Sequence, residues 1–432
     1  MASVDTTQSL SIPTPSREQI SIIKLFAVCL LVPCALVSCV LTLSPNFTAS
    51  TELSEHPVGG DILQEYVGGH LWNTEINKLY DWKHSATIQH DTELLGFQWD
   101  KTGYFPMVYP PFHYQFSSYG CGMSYRSFVI AWMFAGALAL SIASFVFLNW
   151  YREIRIGTGA WFFFAIMFTP LLVSLNMGQK SAILLAILTV TFVLLHRERP
   201  FAAGLVFGLI AFKPYLAIPI GIAMLLKKQY HFVAGSLIML FAVTSSSLLF
   251  APGAWGDYIQ MCFGMKDFIS NSGYQLENSH SLWGSMQLLL CNINPTLVKP
   301  FAIIAAIGVL TLLSRILSGP IELSSPRFAF QFAAMVVATV LVSPHFYTYD
   351  LTILLLPLAI CGLSEEVARK INRRVMYWVC IAVLFGASVY VPAATQLGFQ
   401  ISTIILFTWL IVIAGGWSVS QEKALARFVE EK

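Results

Sequence analysis

The chain has 432 residues, of which 56% are hydrophobic and only 11% charged, with a formal net charge of +2. Soluble domains carry about 25% charged residues, so this composition excludes an ordinary soluble domain and predicts an all-α, polytopic membrane protein. The net charge singles out no partner, and no nucleic acid is expected.

The first 20 residues, rich in Ser, Thr and Pro, predict a cytoplasmic tail. Residues 22–43 are long enough to span a bilayer and are read as an uncleaved signal anchor, although Leu36-Val37-Ser38-Cys39 resembles a lipoprotein cleavage box. About eleven further segments follow, near 124–149, 159–175, 181–195, 201–213, 214–226, 232–251, 298–318, 328–344, 349–363, 375–392 and 398–418. Positive charge gathers in alternate connections: Arg152/Arg155, Arg197/Arg199, Lys227/Lys228, Arg315/Arg327 and Arg369/Lys370/Arg373/Arg374. The positive-inside rule places those loops and both termini in the cytoplasm. It also splits 201–226 into two segments of about 20 Å each, because one kinked span would export the basic loop 369–374. One membrane domain, 21–418, is therefore expected between tails 1–20 and 419–432.

Two connections are long, 44–123 and 252–297, and both fall outside. The first holds nine acids and three lysines and is expected to carry an amphipathic helix lying at the interface over 62–80. The eight cysteines show no CxxC spacing, and small buried hydrophobes are the expected role for most of them.

The chemistry must sit where lipid would otherwise punish the chain. Asn176-Met177-Gly178-Gln179-Lys180 and Lys213-Pro214 cut two short apolar stretches, and such breaks survive where they line a protein cavity. Asn176, Gln179 and Lys180 stand at an outward tip, where a solvated turn competes with a ligand site. Lys213 lies deep in the apolar run, where a lone lysine costs several kcal/mol; a phosphate, Asp350 or a cage of carbonyls would offset that cost. Asp61, after Gly59-Gly60, is placed either to cap the following helix or to act as a general base at the membrane surface. Tyr109-Pro110-Pro111 is stiff and extended, with capping of the second membrane helix as its expected role. In Ser343-Pro344-His345-Phe346-Tyr347-Thr348-Tyr349-Asp350, His345 fits phosphate binding, proton transfer or a hydrogen-bonded turn, and the tyrosines fit interface anchors. No HxxxH, HxxE or paired-carboxylate spacing stands at a predicted outer tip, so metal ligation has no support from sequence; no P-loop, GxGxxG opening a helix or GxSxG elbow occurs, and no cofactor is expected.

These pieces in this order resemble the polyprenol-phosphate-mannose-dependent mannosyltransferases, glycosyltransferase family 87, over roughly residues 20–420. The carriers are Asp61, Tyr109-Pro110-Pro111, Asn176 to Gln179, Phe212-Lys213-Pro214 and Ser343 to Asp350. Lys180 departs from the pattern, which more often has a small or polar residue there, and the second outside loop offers no landmark. The resemblance implies a GT-C architecture and a lipid-linked donor, polyprenyl-phosphate mannose or another sugar. It implies a lipid or glycan acceptor on the external face of a bacterial inner membrane. Asp61 would deprotonate the acceptor hydroxyl during an inverting attack, while His345 and Lys213 face the donor phosphate. Asn176, Gln179 and Lys180 fall on the same donor side, with Tyr109, Tyr349 and Asp350 in support. A secondary transporter and a lipid-linked glycan polymerase or ligase remain the alternatives.

Overall fold

The computed structural model describes residues 59–100, 102–150, 168–271, 276–291, 293–363 and 389–414, together with positions 165, 379, 382 and 383. The expected span 22–43, both tails, the first part of the segment at 159–175 and most of that at 375–392 lie outside the described residues.

Among the described residues every regular element is helical, and an isolated antiparallel bridge joins Ser279 to Tyr347. The connection expected to lie outside folds, over its described part, into α1 (Ile62–Thr74), α2 (Trp82–Gln89), α3 (Thr92–Leu95) and α4 (Pro111–Ser118). Then come α5 (Tyr125–Trp150), α6 (Thr169–Asn176), α7 (Ser181–His196), α8 (Pro200–Gly208), α9 (Pro214–Leu226), α10 (Tyr230–Phe250) and α11 (Pro252–Asn271). The chain continues through α12 (Leu282–Leu290), α13 (Val298–Ile316), α14 (Pro326–Val342) and α15 (Leu355–Leu363), and through α16 (Val389–Leu397) and α17 (Ile401–Ala414). Among the described residues, α5, α10 and α13 are long and apolar enough to cross a bilayer; α16 and α17, bent by 113°, make a fourth candidate if they count as one broken span.

Two of the shorter apolar helices, α7 and α14, are largely enclosed by protein. The 16 residues of α7 rise about 24 Å, less than a hydrocarbon core of about 30 Å. Residues Phe328 to Leu341 of α14 are buried without interruption, the pattern of a helix surrounded by protein on all sides. The expected break at Lys213 is present: α8 tightens into a 3₁₀ turn at Leu209–Phe212 and α9 starts at Pro214. Small residues bring α8 against α10. A side chain at Gly204 would meet the Phe232 carbonyl at 2.1 Å, and one at Gly235 would meet the Phe201 carbonyl at 2.3 Å, the close backbone approach that small-residue stripes allow in membranes.

Two expectations need correction here. The interfacial helix over 62–80 is instead the buried α1, ending at Thr74, with Ile62 to Gly69 all enclosed. Gly68 and Gly69 explain its depth. A side chain at Gly68 would strike the Tyr114 ring at 2.2 Å, and one at Gly69 would meet the α4 backbone at Ser117 and Ser118 at 2.8 Å. The Tyr109-Pro110-Pro111 segment opens α4 and not the membrane helix α5. Pro110 is the N-cap and Pro111 the first helical residue, where a missing N–H and a fixed φ cost nothing.

Candidate active site

Two loops meet to build the site. Gly59 and Gly60 take positive φ angles of 79° and 57°, conformations that glycine reaches readily, and turn the chain into α1. Opposite them, Gly178 has φ 62°, and a side chain there would overlap Ile62 at 1.8 Å. The Asp61 N–H donates to the Met177 carbonyl at 3.1 Å, and Trp132 Nε1 holds the Gly178 carbonyl at 2.9 Å. Gln179 then donates its side-chain amide to Asp61 Oδ2. The polar break 176–180 is thus a docking loop for the carboxylate, and the expectation of a solvated turn fails for Gln179 and Lys180, both buried. Asn176 is exposed and stands outside this cluster.

The capping reading of Asp61 also fails. Its side chain makes no cap hydrogen bond to α1, whereas Asp81 and Asp91 cap α2 and α3 in the expected way. Asp61 is partly exposed while Glu65, one turn further along, is 1% exposed. Glu65 accepts from Lys180 and pairs with His113, and Ser117 Oγ donates to its Oε2 at 3.0 Å. The Lys180 ammonium also lies 3.0 Å from His113 Nε2 and 3.2 Å from the centroid of the Tyr109 ring, a cation–π contact in a desolvated setting.

The environments drive the two carboxyls apart. Burial raises Asp61 to about 6, against the opposing pull of Gln179, Lys180 and Lys213. Burial also pushes Glu65 up, but the His113 and Lys180 interactions together outweigh it and hold the group at about 2. Burial keeps His113 below its ordinary value. A group poised near 6 and a neighbour locked as an anion are the pattern of divided acid–base roles.

The second half of the site comes from the other breaks. Lys213 donates to Asp350 Oδ1 at 2.5 Å, and Ser181 Oγ donates to the same oxygen at 3.0 Å. Asp350 sits in a 3₁₀ segment, Thr348–Leu354, fully buried. The Lys213 ammonium lies 5.4 Å from the Tyr349 ring centroid, and Tyr349 meets Tyr347 edge-on at 5.6 Å. His345 packs against Tyr347 at 4.5 Å and Tyr215 at 6.0 Å. Tyr349 therefore stands beside the Lys213–Asp350 pair.

Sequence reasoning missed the clasp around Glu65. Two spacings carried the signal: Asp61 and Glu65 on α1, and His113 and Ser117 on α4, each stand four residues apart and share a helix face. Trp132 and Ser181 carried none.

Buried ion pairs at broken helices, with a partly exposed carboxylate beside them, gather where residues 59–118 meet the apolar helices. A model of glycosyltransferase family 87 matches residues 107–344, more than half of the chain. The chain belongs to that family and is a membrane glycosyltransferase. The matched stretch contains Tyr109, His113, the 176–180 loop and Lys213; Asp61 and Glu65 precede it, and His345, Tyr349 and Asp350 follow it. No curated protein and no solved structure matched the chain.

Proposed function

We propose that the enzyme moves a hexose, mannose in the first instance, from a polyprenyl-phosphate donor to a hydroxyl of a lipid or glycan on the non-cytoplasmic face of a bacterial inner membrane. The reading includes twelve membrane segments with both termini inside, which puts Asp61 and the 176–180 loop on the outer side. The acceptor oxygen attacks the anomeric carbon as Asp61 takes its proton. The bond from that carbon to the phosphate oxygen breaks with inversion, and polyprenyl phosphate departs. Lys213 and His345 face the leaving phosphate, where fixed donors and positive charge stabilise what develops in the transition state.

The observation that carries this reading is that the partly exposed Asp61 is held by Gln179 while Lys180, His113 and Ser117 clasp the buried Glu65. A base near 6 is ionised at neutral pH yet still basic enough to take a proton usefully. Lys180, placed on the donor side from sequence, is assigned to holding Glu65 ionised, since its ammonium pairs with that carboxylate and lies against His113 and Tyr109. Glu65 and His113 in turn fix the face of α1 that presents Asp61.

The test is transfer by the purified protein in nanodiscs from a panel of radiolabelled polyprenyl-phosphate sugars to a membrane lipid extract, with Asp61→Asn alongside. Transfer from one donor, lost in Asp61→Asn, supports the reading and names the sugar. Wild-type turnover in a folded Asp61→Asn sample removes Asp61 as base.

A further inference from the structure

The second outside loop has no part in the mechanism above, yet one of its residues reaches the donor side of the site. His280 is fully buried between three elements. Its Nδ1 lies 2.7 Å from Ser402 Oγ at the start of α17, and its Nε2 lies 2.9 Å from Thr348 Oγ1. Its backbone N–H donates to the Phe346 carbonyl at 2.7 Å, beside the bridge from Ser279 to Tyr347. Gln400, in the bend between α16 and α17, ties the same loop from its other side through the Glu277 carbonyl at 2.6 Å.

Thr348 opens the 3₁₀ segment that carries Tyr349 and Asp350. The Asp350 N–H closes that turn on the Tyr347 carbonyl at 2.9 Å. A 3₁₀ turn holds itself weakly; this one packs against α6 and α7 and is gripped at its first residue by His280, with Asn278 Oδ1 as a further partner 3.5 Å from Thr348 Oγ1. The grip is a neutral imidazole between two hydroxyls. One ring nitrogen donates, the other accepts, and each hydroxyl can turn to complement either. Burial holds His280 at about 3, so the ring stays uncharged across the working pH range.

We propose that His280 is a positioning residue for the donor half of the active site, bracing Thr348 against the α16–α17 bend so that Tyr349 and Asp350 stay in register with Lys213. The inference rests on the donor reading given above. It links the second outside loop with the C-terminal bent pair, since His280 bonds Thr348 on one side and Ser402 on the other.

The two ring nitrogens can be tested separately. A glutamine amide reaches about as far as Nε2 and an asparagine amide about as far as Nδ1, so His280→Gln keeps the Thr348 bond and His280→Asn keeps the Ser402 bond. With radiolabelled polyprenyl-phosphate mannose, His280→Asn and Thr348→Val should raise the donor KM at least tenfold and leave the acceptor KM within twofold. His280→Gln should stay within threefold of wild type on both. Hydrogen exchange over residues 347–354 should quicken in His280→Asn and Thr348→Val and not in His280→Gln. Equal donor KM values for the Asn and Gln variants, or unchanged exchange in His280→Asn, overturn the proposal. A wild-type protein that transfers from no donor sinks the donor reading instead, and the exchange data alone then decide whether His280 holds the segment.

Discussion

Asp61 and Glu65 stand one turn apart on α1, yet Asp61 takes a single side-chain amide from Gln179 whereas Glu65 is gripped by Lys180, His113 and Ser117. Two carboxylates on one helix face would otherwise repel each other and titrate as a pair. The clasp separates them by holding Glu65 ionised beside the Lys180 ammonium, while the Glu65 charge still helps to raise Asp61. What is left is one carboxyl with a raised pKa, partly open to a substrate.

That asymmetry predicts a pH profile. Below about 6 the Asp61 carboxyl is protonated and cannot accept a proton, so kcat/KM should fall tenfold per pH unit on the acid side. The Gln179 hydrogen bond lowers the Asp61 pKa, so Gln179→Leu should move the acid limb to higher pH. Asp61→Asn should lower turnover by about 10²–10⁴-fold, the usual worth of a general base. A limb that stays in place in Gln179→Leu argues that another group controls it.

Glu65 makes a different prediction, about stability. Removing one partner of a buried pair strands the other and costs about 3–5 kcal/mol. Glu65→Gln should therefore destabilise the folded protein strongly by leaving Lys180 buried and unpaired. Glu65→Gln combined with Lys180→Met should recover much of the loss. Thermal unfolding in one detergent checks both, and additive losses in the double variant would count against the pairing.

The 178 position tests how the two loops dock. Gly178→Ala would drive a methyl group into Ile62 at 1.8 Å, at a φ of 62° that other residues rarely take. Misplacement by about 1 Å can cost 10²-fold in rate, so turnover should fall by about that much with Asp61 itself intact. Gly122→Ala, where nothing lies within 4 Å of the added carbon, should be silent in the same assay.

Much of this was legible from the sequence because membranes leave few options. The polar breaks at 176–180, 213–214 and 343–350 carry the buried Lys180, Lys213 and Asp350, since unsatisfied backbone and charge in an apolar run need protein around them. The pairing of Lys213 with Asp350 was among the expected ways to offset a buried lysine. The depth of α1 was not legible. Its apolar positions look like an interfacial helix, and only the contact of Gly68 and Gly69 with α4, a long-range fact, shows that it is enclosed. The fate of Lys180 was hidden for the same reason: its partners Glu65 and His113 lie 115 and 67 residues away.

Lys213 separates structure from chemistry most cleanly. Its ammonium is bound to Asp350 in a fully buried setting, so Lys213→Met leaves an uncompensated carboxylate and should cost about 3–5 kcal/mol of stability. Asp350→Asn added to Lys213→Met removes that stranded charge and should restore most of the melting temperature. If Lys213 also faces the donor phosphate, the stable double variant should still show a raised donor KM, because the positive charge is gone from the site. The acceptor KM should stay near wild type. A double variant that recovers both stability and donor KM would confine Lys213 to holding the broken helices together, and would leave His345 as the basic residue assigned to the leaving phosphate.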